Sequence, residues 1–196
     1  MKLLRAFVLI WLAGTLAGCG INNIPTYDEQ VKSAWAQVEN QYQRRADLVP
    51  NLVNTVKGFA SQEREVLVAV TEARAKVGSI QANGDLINDP QKLKQFEQAQ
   101  QQLGSALQRL MVVVERYPDL KSNQNFLTLQ SQLEGTENRI AVARRDYIAA
   151  VQQYNTEIRT FPGRLWHSVL YGEMEVRPNF EATTEGADQA PKVNFN

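Results

Sequence analysis

The chain has 196 residues, 21 basic and 21 acidic side chains and a formal net charge of zero, enough length for one domain with a real core. The balance leaves no footprint for nucleic acid and no polybasic patch for lipid headgroups. One cysteine and one histidine exclude an intramolecular disulfide and a conventional zinc centre, and any Ser-His-Asp or Cys-His device would have to use His167.

The first element is a leader. A short basic start, Met1 to Arg5, precedes the apolar run Ala6 to Thr15, and Leu16-Ala17-Gly18-Cys19 follows. Small residues after a short apolar stretch are the build of a secretory signal peptide. A cysteine directly behind them resembles a bacterial lipobox, which implies cleavage after residue 18 and lipidation of Cys19. From Ala6 to Cys19 is 14 residues, whereas a spanning helix needs about 20. Acylation adds on the order of 0.8 kcal/mol per buried methylene, and a multiply acylated cysteine makes a stable anchor. Loss of Lys2 and Arg5 with residues 1–18 leaves 19 basic and 21 acidic side chains, a formal charge of −2. Residues 19–26, with Pro25, read as a polar tether. Gly20 rather than aspartate follows Cys19, so the usual sorting rule directs the lipoprotein to the outer membrane where the cell has one.

From Tyr27 to about Phe161 the pattern is helical. Val31, Trp35, Val38, Tyr42 and Val49 recur at intervals of three, four or seven, and Leu52, Val56, Phe59, Val66, Val70, Ala73, Val77 and Ile80 continue the series. Pro50 interrupts it. A proline inside a helix removes a hydrogen bond and clashes with the carbonyl four residues back, costing about 3 kcal/mol. Asp47 is placed to cap a fresh helix entering at Pro50. A break or sharp kink is therefore predicted at residues 46–50. Residues 81–90 form a loop of turn residues, with Asp89 and Pro90 starting the next helix. That helix carries the stripe Leu93, Phe96, Gln100, Leu103, Leu107, Leu110, Val114, Tyr117 and stops at Pro118. The glutamine run Gln98 to Gln102 reads as a solvated face.

The next helix is the most regular. Phe126, Leu133, Ile140, Tyr147 and Tyr154 fall every seven residues. A heptad repeat of this length needs a helical partner. Tyr147, Tyr154, Phe161 and Trp166 read as core aromatics with polar tips at the rim. Phe161-Pro162-Gly163 ends the helix. A short helix at 164–171 and an irregular tail with two isolated aromatics, Phe180 and Phe195, complete the chain. His167, near the end of that short helix, reads as a surface or packing histidine. The predicted fold is all-α: an elongated antiparallel bundle of three to four long helices over residues 27–163, the first kinked or broken near Pro50, with residues 164–196 as short helix and tail.

Three blocks carry a family resemblance. Arg44 to Val53, followed by Thr55 to Ala60, resembles the signature of the LemA family, as do Glu115 to Leu127 and Glu134 to Pro162. Gln62-Glu63 stands where the family often has His-Glu, and Tyr147-Ile148 where it often has Tyr-Asn. Many members carry a transmembrane helix where this chain has a lipobox. The resemblance implies an all-α, membrane-attached protein with no established enzymatic activity and no cofactor. Family genes are often found with membrane proteases and small proteins of envelope quality control, which implies an envelope protein as partner.

The remaining signal is a dense set of charges: Arg44, Arg45, Asp47, Arg139, Arg144, Arg145 and Asp146, with Glu134, Glu137 and Asn138. Arg145 and Asp146 are adjacent and should point apart, so pairing partners must come from another helix or from solvent. The set reads either as a network holding the Pro50 segment against its neighbour or as a partner surface, with Arg144, Arg145, Asp47 and Arg44 as its candidate residues. No residue stands out as catalytic or metal-binding. The sequence therefore predicts a lipid-anchored, non-enzymatic helical scaffold or adaptor on the extracytoplasmic side of a bacterial membrane. The alternative is a binding module for a small envelope or cell-wall ligand.

Overall fold

A computed structural model describes residues 20–81 and 85–180. All regular structure among the described residues is helical: α1 (Asn23–Phe59), α2 (Arg64–Gln81), α3 (Pro90–Val114), α4 (Pro118–Lys121), α5 (Gln124–Glu157) and α6 (Gly163–Leu170). The predicted leader, with Cys19, and Phe195 lie outside the described residues. α1 starts at Asn23, four residues before the expected Tyr27, so the predicted tether is helical over its second half.

Two long helices form the spine. α1 has 37 residues and α5 has 34, about 55 and 51 Å at 1.5 Å per residue. They run antiparallel, with Asn23 beside Glu157, Trp35 beside Tyr147 and Arg45 beside Glu137. Their buried positions explain the pairing. Ile24, Val31, Trp35, Val38, Tyr42, Arg45, Val49, Leu52 and Val56 line one face of α1. Phe126, Leu133, Thr136, Ile140, Ala143, Tyr147, Val151 and Tyr154 line one face of α5. Both alternate near 3.5 residues, the spacing at which two helices keep a common seam.

α2 and α3 form the second layer, also antiparallel, with Lys76 bonded to Gln102 and Arg116 to Glu63. The side chain of Asp89 accepts hydrogen bonds from the Gln91 and Lys92 amides, and Pro90 opens α3, as the sequence predicted. Asn123 caps α5 in the same way. At about 27 and 37 Å, α2 and α3 are shorter than the spine. Phe96 of α3 reaches Trp35 and Tyr42 edge-on. Nearer the start of α1 the spine is covered instead by residues 171–180, which have no regular secondary structure.

Of the break or sharp kink expected at residues 46–50, the break does not occur: α1 runs on to Phe59 with Pro50 inside it. The chain turns instead at Ala60–Glu63. Asp47 is exposed and accepts from Gln43 Nε2 at 2.8 Å, so it caps nothing. The reason lies on α2. Pro50 has no N–H for the Ala46 carbonyl, and Arg74 Nε donates to that oxygen at 2.8 Å. A side chain 28 positions away supplies the bond the proline removes.

Candidate interaction site

Midway along the spine the apolar seam gives way to a polar layer. Arg45 stands on the buried stripe of α1, three residues after Tyr42 and four before Val49, and is 4% exposed. Its Nη1 bonds both Glu137 carboxylate oxygens, at 2.9 and 3.2 Å. Its Nη2 donates to the Gln100 backbone carbonyl at 3.2 Å and to the Gln100 side-chain oxygen. The guanidinium also lies 5.1 Å from the Tyr42 ring centre. Gln100 is itself 4% exposed. One turn before it, buried Glu97 accepts from Arg144 Nη2 at 3.3 Å. Arg144 in turn stacks 4.3 Å over the Phe180 ring.

These side chains line a cleft of ≈ 330 Å³ between α1, α3 and α5. It holds two arginines and two glutamates, so its formal charge is balanced. Burial pushes the Tyr42 hydroxyl to a higher pKa, against the pull of Arg144 and Arg45, so Tyr42 stays a neutral phenol there. Two buried donors in this layer, Arg45 Nε and Gln100 Nε2, have no hydrogen-bond partner. A buried donor without a partner costs about 1–3 kcal/mol. Both donors are sealed from solvent, so the layer carries that cost as it stands. The wider groove between α2 and α3, ≈ 820 Å³, is lined by exposed side chains such as Glu72 and Lys76 and contains no such unpaired group. Among the described residues no group of His, Cys, Asp or Glu is arranged to hold a metal ion.

The candidate residues divide. Arg144 enters the polar layer, paired with another helix. Arg44 and Asp47 lie on the outside of α1, and Arg145 on the outside of α5. Arg145 and Asp146 do not point apart: Arg145 Nε is 3.7 Å from Asp146 Oδ1, an exposed pair. Gln100 corrects the reading of residues 98–102 as one solvated face, since Gln98, Gln101 and Gln102 are exposed but Gln100 is buried. The signal for it was present: Gln100 occupies a place in the apolar stripe of α3. Arg45 carries the same signal on α1.

A second polar assembly, unforeseen from the sequence, ties residues 171–180 to the spine. Tyr147 and Tyr154 donate to the carbonyls of Pro178 and Glu175, both at 3.0 Å. Asn155 bonds both the carbonyl and the amide of Arg177, at 2.9 Å each. Arg177 reaches Asp28 Oδ1 at 2.6 Å. Burial alone would raise the Asp28 pKa, but Arg177 and Lys32 outweigh it and hold the carboxyl below its ordinary value. Burial raises the pKa of both tyrosines. Phe180 is not an isolated aromatic, because it packs 5.3 Å from Tyr147 and 6.0 Å from Trp35. His167 is partly buried, with Nε2 2.9 Å from the Met174 carbonyl.

Beyond the geometry, the sequence profile of the LemA family matches residues 34–195. The chain belongs to the LemA family. The match spans the seam residues from Trp35 to Tyr154 and includes the polar layer. Among curated proteins the LemA-family chain is similar to magnetosome protein MamQ 2 of Paramagnetospirillum magneticum, 31% identical over 157 residues, covering 72% of this chain and 58% of the relative. It is 27% identical over 159 residues to magnetosome protein MamQ of Magnetospirillum gryphiswaldense, with the same coverage. It is 24% identical over 140 residues to protein LemA of Metamycoplasma hominis, covering 71% and 60%. The chain thus spans about three fifths of the length of the curated relatives it matches. No helix among the described residues is long and apolar enough to cross a membrane.

Proposed function

We propose that this protein is a lipid-anchored, non-enzymatic helical scaffold of the bacterial envelope. It is held by Cys19 on the extracytoplasmic side and presents its bundle to an envelope protein, of which a membrane protease or quality-control protein is the expected kind. The observation that carries this reading is the α1/α5 spine. Two antiparallel helices of more than 30 residues share one seam, and the described chain enters the spine at the foot of α1, directly after Cys19. An anchor at that residue holds a rod about 50 Å long by one end. Relatives named as magnetosome proteins support membrane association, the setting this reading needs. Arg144, Arg145, Asp47 and Arg44 remain the partner-facing residues of this proposal, with Arg44, Asp47 and Arg145 the ones open to solvent.

The test has two arms. Radioactive fatty acid should label the parent in cells and not the Cys19→Ser variant; equal label rejects the anchor. A photoreactive amino acid at Arg145 in the full chain should capture one discrete envelope protein in intact cells. Capture of no protein there rejects the adaptor.

The two unpaired donors at Arg45 and Gln100 favour a second reading, a module for a small ligand rich in acceptor oxygens, such as a cell-wall fragment. Protein purified under native conditions would then carry such a ligand by mass spectrometry, and Gln100→Leu would lose it.

A further inference from the structure

The foot of the spine carries an apolar surface that the scaffold reading does not use. Phe161 is 84% exposed, and Leu165, Val169 and Leu170 are 49%, 67% and 52% exposed. Leu165 and Val169 stand four residues apart on α6 and share one helical face, and Phe161 lies in the turn that leads into the helix. The opposite side of α6 is turned inward: Gly163 is buried and His167 is bonded to the Met174 carbonyl. Arg164, next to Leu165 on α6, and Arg159, two residues before Phe161, are both exposed, and acidic Glu173 follows in the turn beyond Tyr171. The corner is fixed in place. A β-carbon at Gly163 would sit 2.2 Å from the Glu157 carbonyl oxygen, so only glycine lets α6 fold back this tightly on the end of α5.

The same corner meets the point where the N-terminal segment joins the fold. The place where a Gly20 β-carbon would stand is 3.8 Å from Pro162 Cγ, and Asn23 Nδ2 donates to Glu157 Oε1 at 3.1 Å. In the sequence Gly20 directly follows the apolar run and Cys19. Gly20, the first described residue after Cys19, therefore lies at the same end of the rod as this apolar corner, while the polar layer lies midway along it.

We propose that the Phe161–Leu170 corner rests on the surface of the bilayer that holds the N-terminal segment, with Phe161, Leu165 and Val169 in its headgroup region. The occupant of this face is a lipid surface rather than a protein, because the chain immediately before Gly20 is itself built for the bilayer. Apolar side chains flanked by arginines suit the boundary of an anionic membrane. A short apolar face binds weakly alone, but membrane attachment through two signals is far more stable than through one. The corner supplies the second signal and fixes the angle at which the rod leaves the membrane. This inference rests on the membrane-tethered reading above.

The test uses the full chain, expressed in cells and reconstituted into vesicles of phosphatidylethanolamine and phosphatidylglycerol. A photoreactive amino acid is placed at Leu165, at Val169 or at Val112, an exposed α3 position 70% open to solvent. All three are surface sites, so the fold is retained. Lipid adducts at 165 and 169, with none above background at 112, are the expected result. A chain that floats with the vesicles yet gives no lipid adduct at 165 or 169, or equal adducts at 112, overturns the inference and leaves the tether standing. Adducts at 165 and 169 to a second protein in place of lipid also overturn it. A chain that does not float with the vesicles overturns the tether and the inference together.

Discussion

Two arginines pack into the same spine and are treated differently. Arg177, at the foot, is partly buried and meets a buried carboxylate: the Asp28 side chain is 6% exposed and its own is 13%. Its backbone amide and carbonyl are held by Asn155, and it leaves no unpaired buried atom. Arg45, midway, meets the half-exposed carboxylate of Glu137 and the amide of Gln100, and its Nε is left over along with Gln100 Nε2. A closed polar network holds structure in place, because every desolvated group is compensated. An open one leaves a desolvation cost uncompensated, and this is the observation behind the small-ligand reading proposed above. The foot is a clamp, and the middle is where that proposal is tested.

The largest effect expected is at the clamp. Arg177→Ala leaves Asp28 buried with only Lys32 beside it, and should cost about 3 kcal/mol in denaturant unfolding of the full chain. A loss under about 0.5 kcal/mol would mean that residues 171–180 do not hold the spine. Next comes the unbroken first helix. Arg74→Met orphans the Ala46 carbonyl and should cost about 1–3 kcal/mol. Pro50→Ala restores an N–H four residues on, so in the Arg74→Met background it should recover most of that loss. Simple additivity of the two changes would refute the account of how Pro50 is tolerated.

Gln100→Leu sharpens the contrast in the opposite direction. It removes an unpaired donor together with one acceptor of Arg45, and the two effects offset, so stability should move by about 1 kcal/mol or less. The titration of Asp28 gives a smaller, pH-limited signal. Its folded pKa lies below the ordinary value of about 3.9. Its contribution is thus present above about pH 4 and lost as pH falls through the folded value. Asp28→Asn should flatten the decline in stability below pH 4 and leave its shape near neutrality unchanged. The smallest effect belongs to Arg145, whose partner Asp146 is exposed. Arg145→Glu should change unfolding by less than about 0.5 kcal/mol while altering crosslinking to a partner in cells.

Much of this architecture was legible along the chain because it is periodic. The seven-residue spacing from Phe126 to Tyr154 needed a partner of equal length, and α1 provides it. Asp89-Pro90 marked a helix start because both residues act on the backbone beside them. The same local logic allows a break at Pro50, which the fold does not make. The proline's steric cost is written in the sequence, whereas Arg74, which offsets it, is near only once α2 folds back on α1. Of the candidate site residues, Arg144 was found as a charge needing a partner on another helix. Arg45 and Gln100 were the better markers of the polar layer, as polar residues at apolar stripe positions.

The sequence by itself determined the family, the all-α class and the heptad seam of α5, because each depends on residues adjacent or regularly spaced along one helix. Only the tertiary structure decided which arginine is buried, which donors lack partners, how Pro50 is accommodated, and that residues 171–180 cover the foot of the spine. These depend on pairs such as Asp28 and Arg177, 149 positions apart, and on which side of a packed helix a charge falls. Spacing along a chain records neither of these, and packing fixes both.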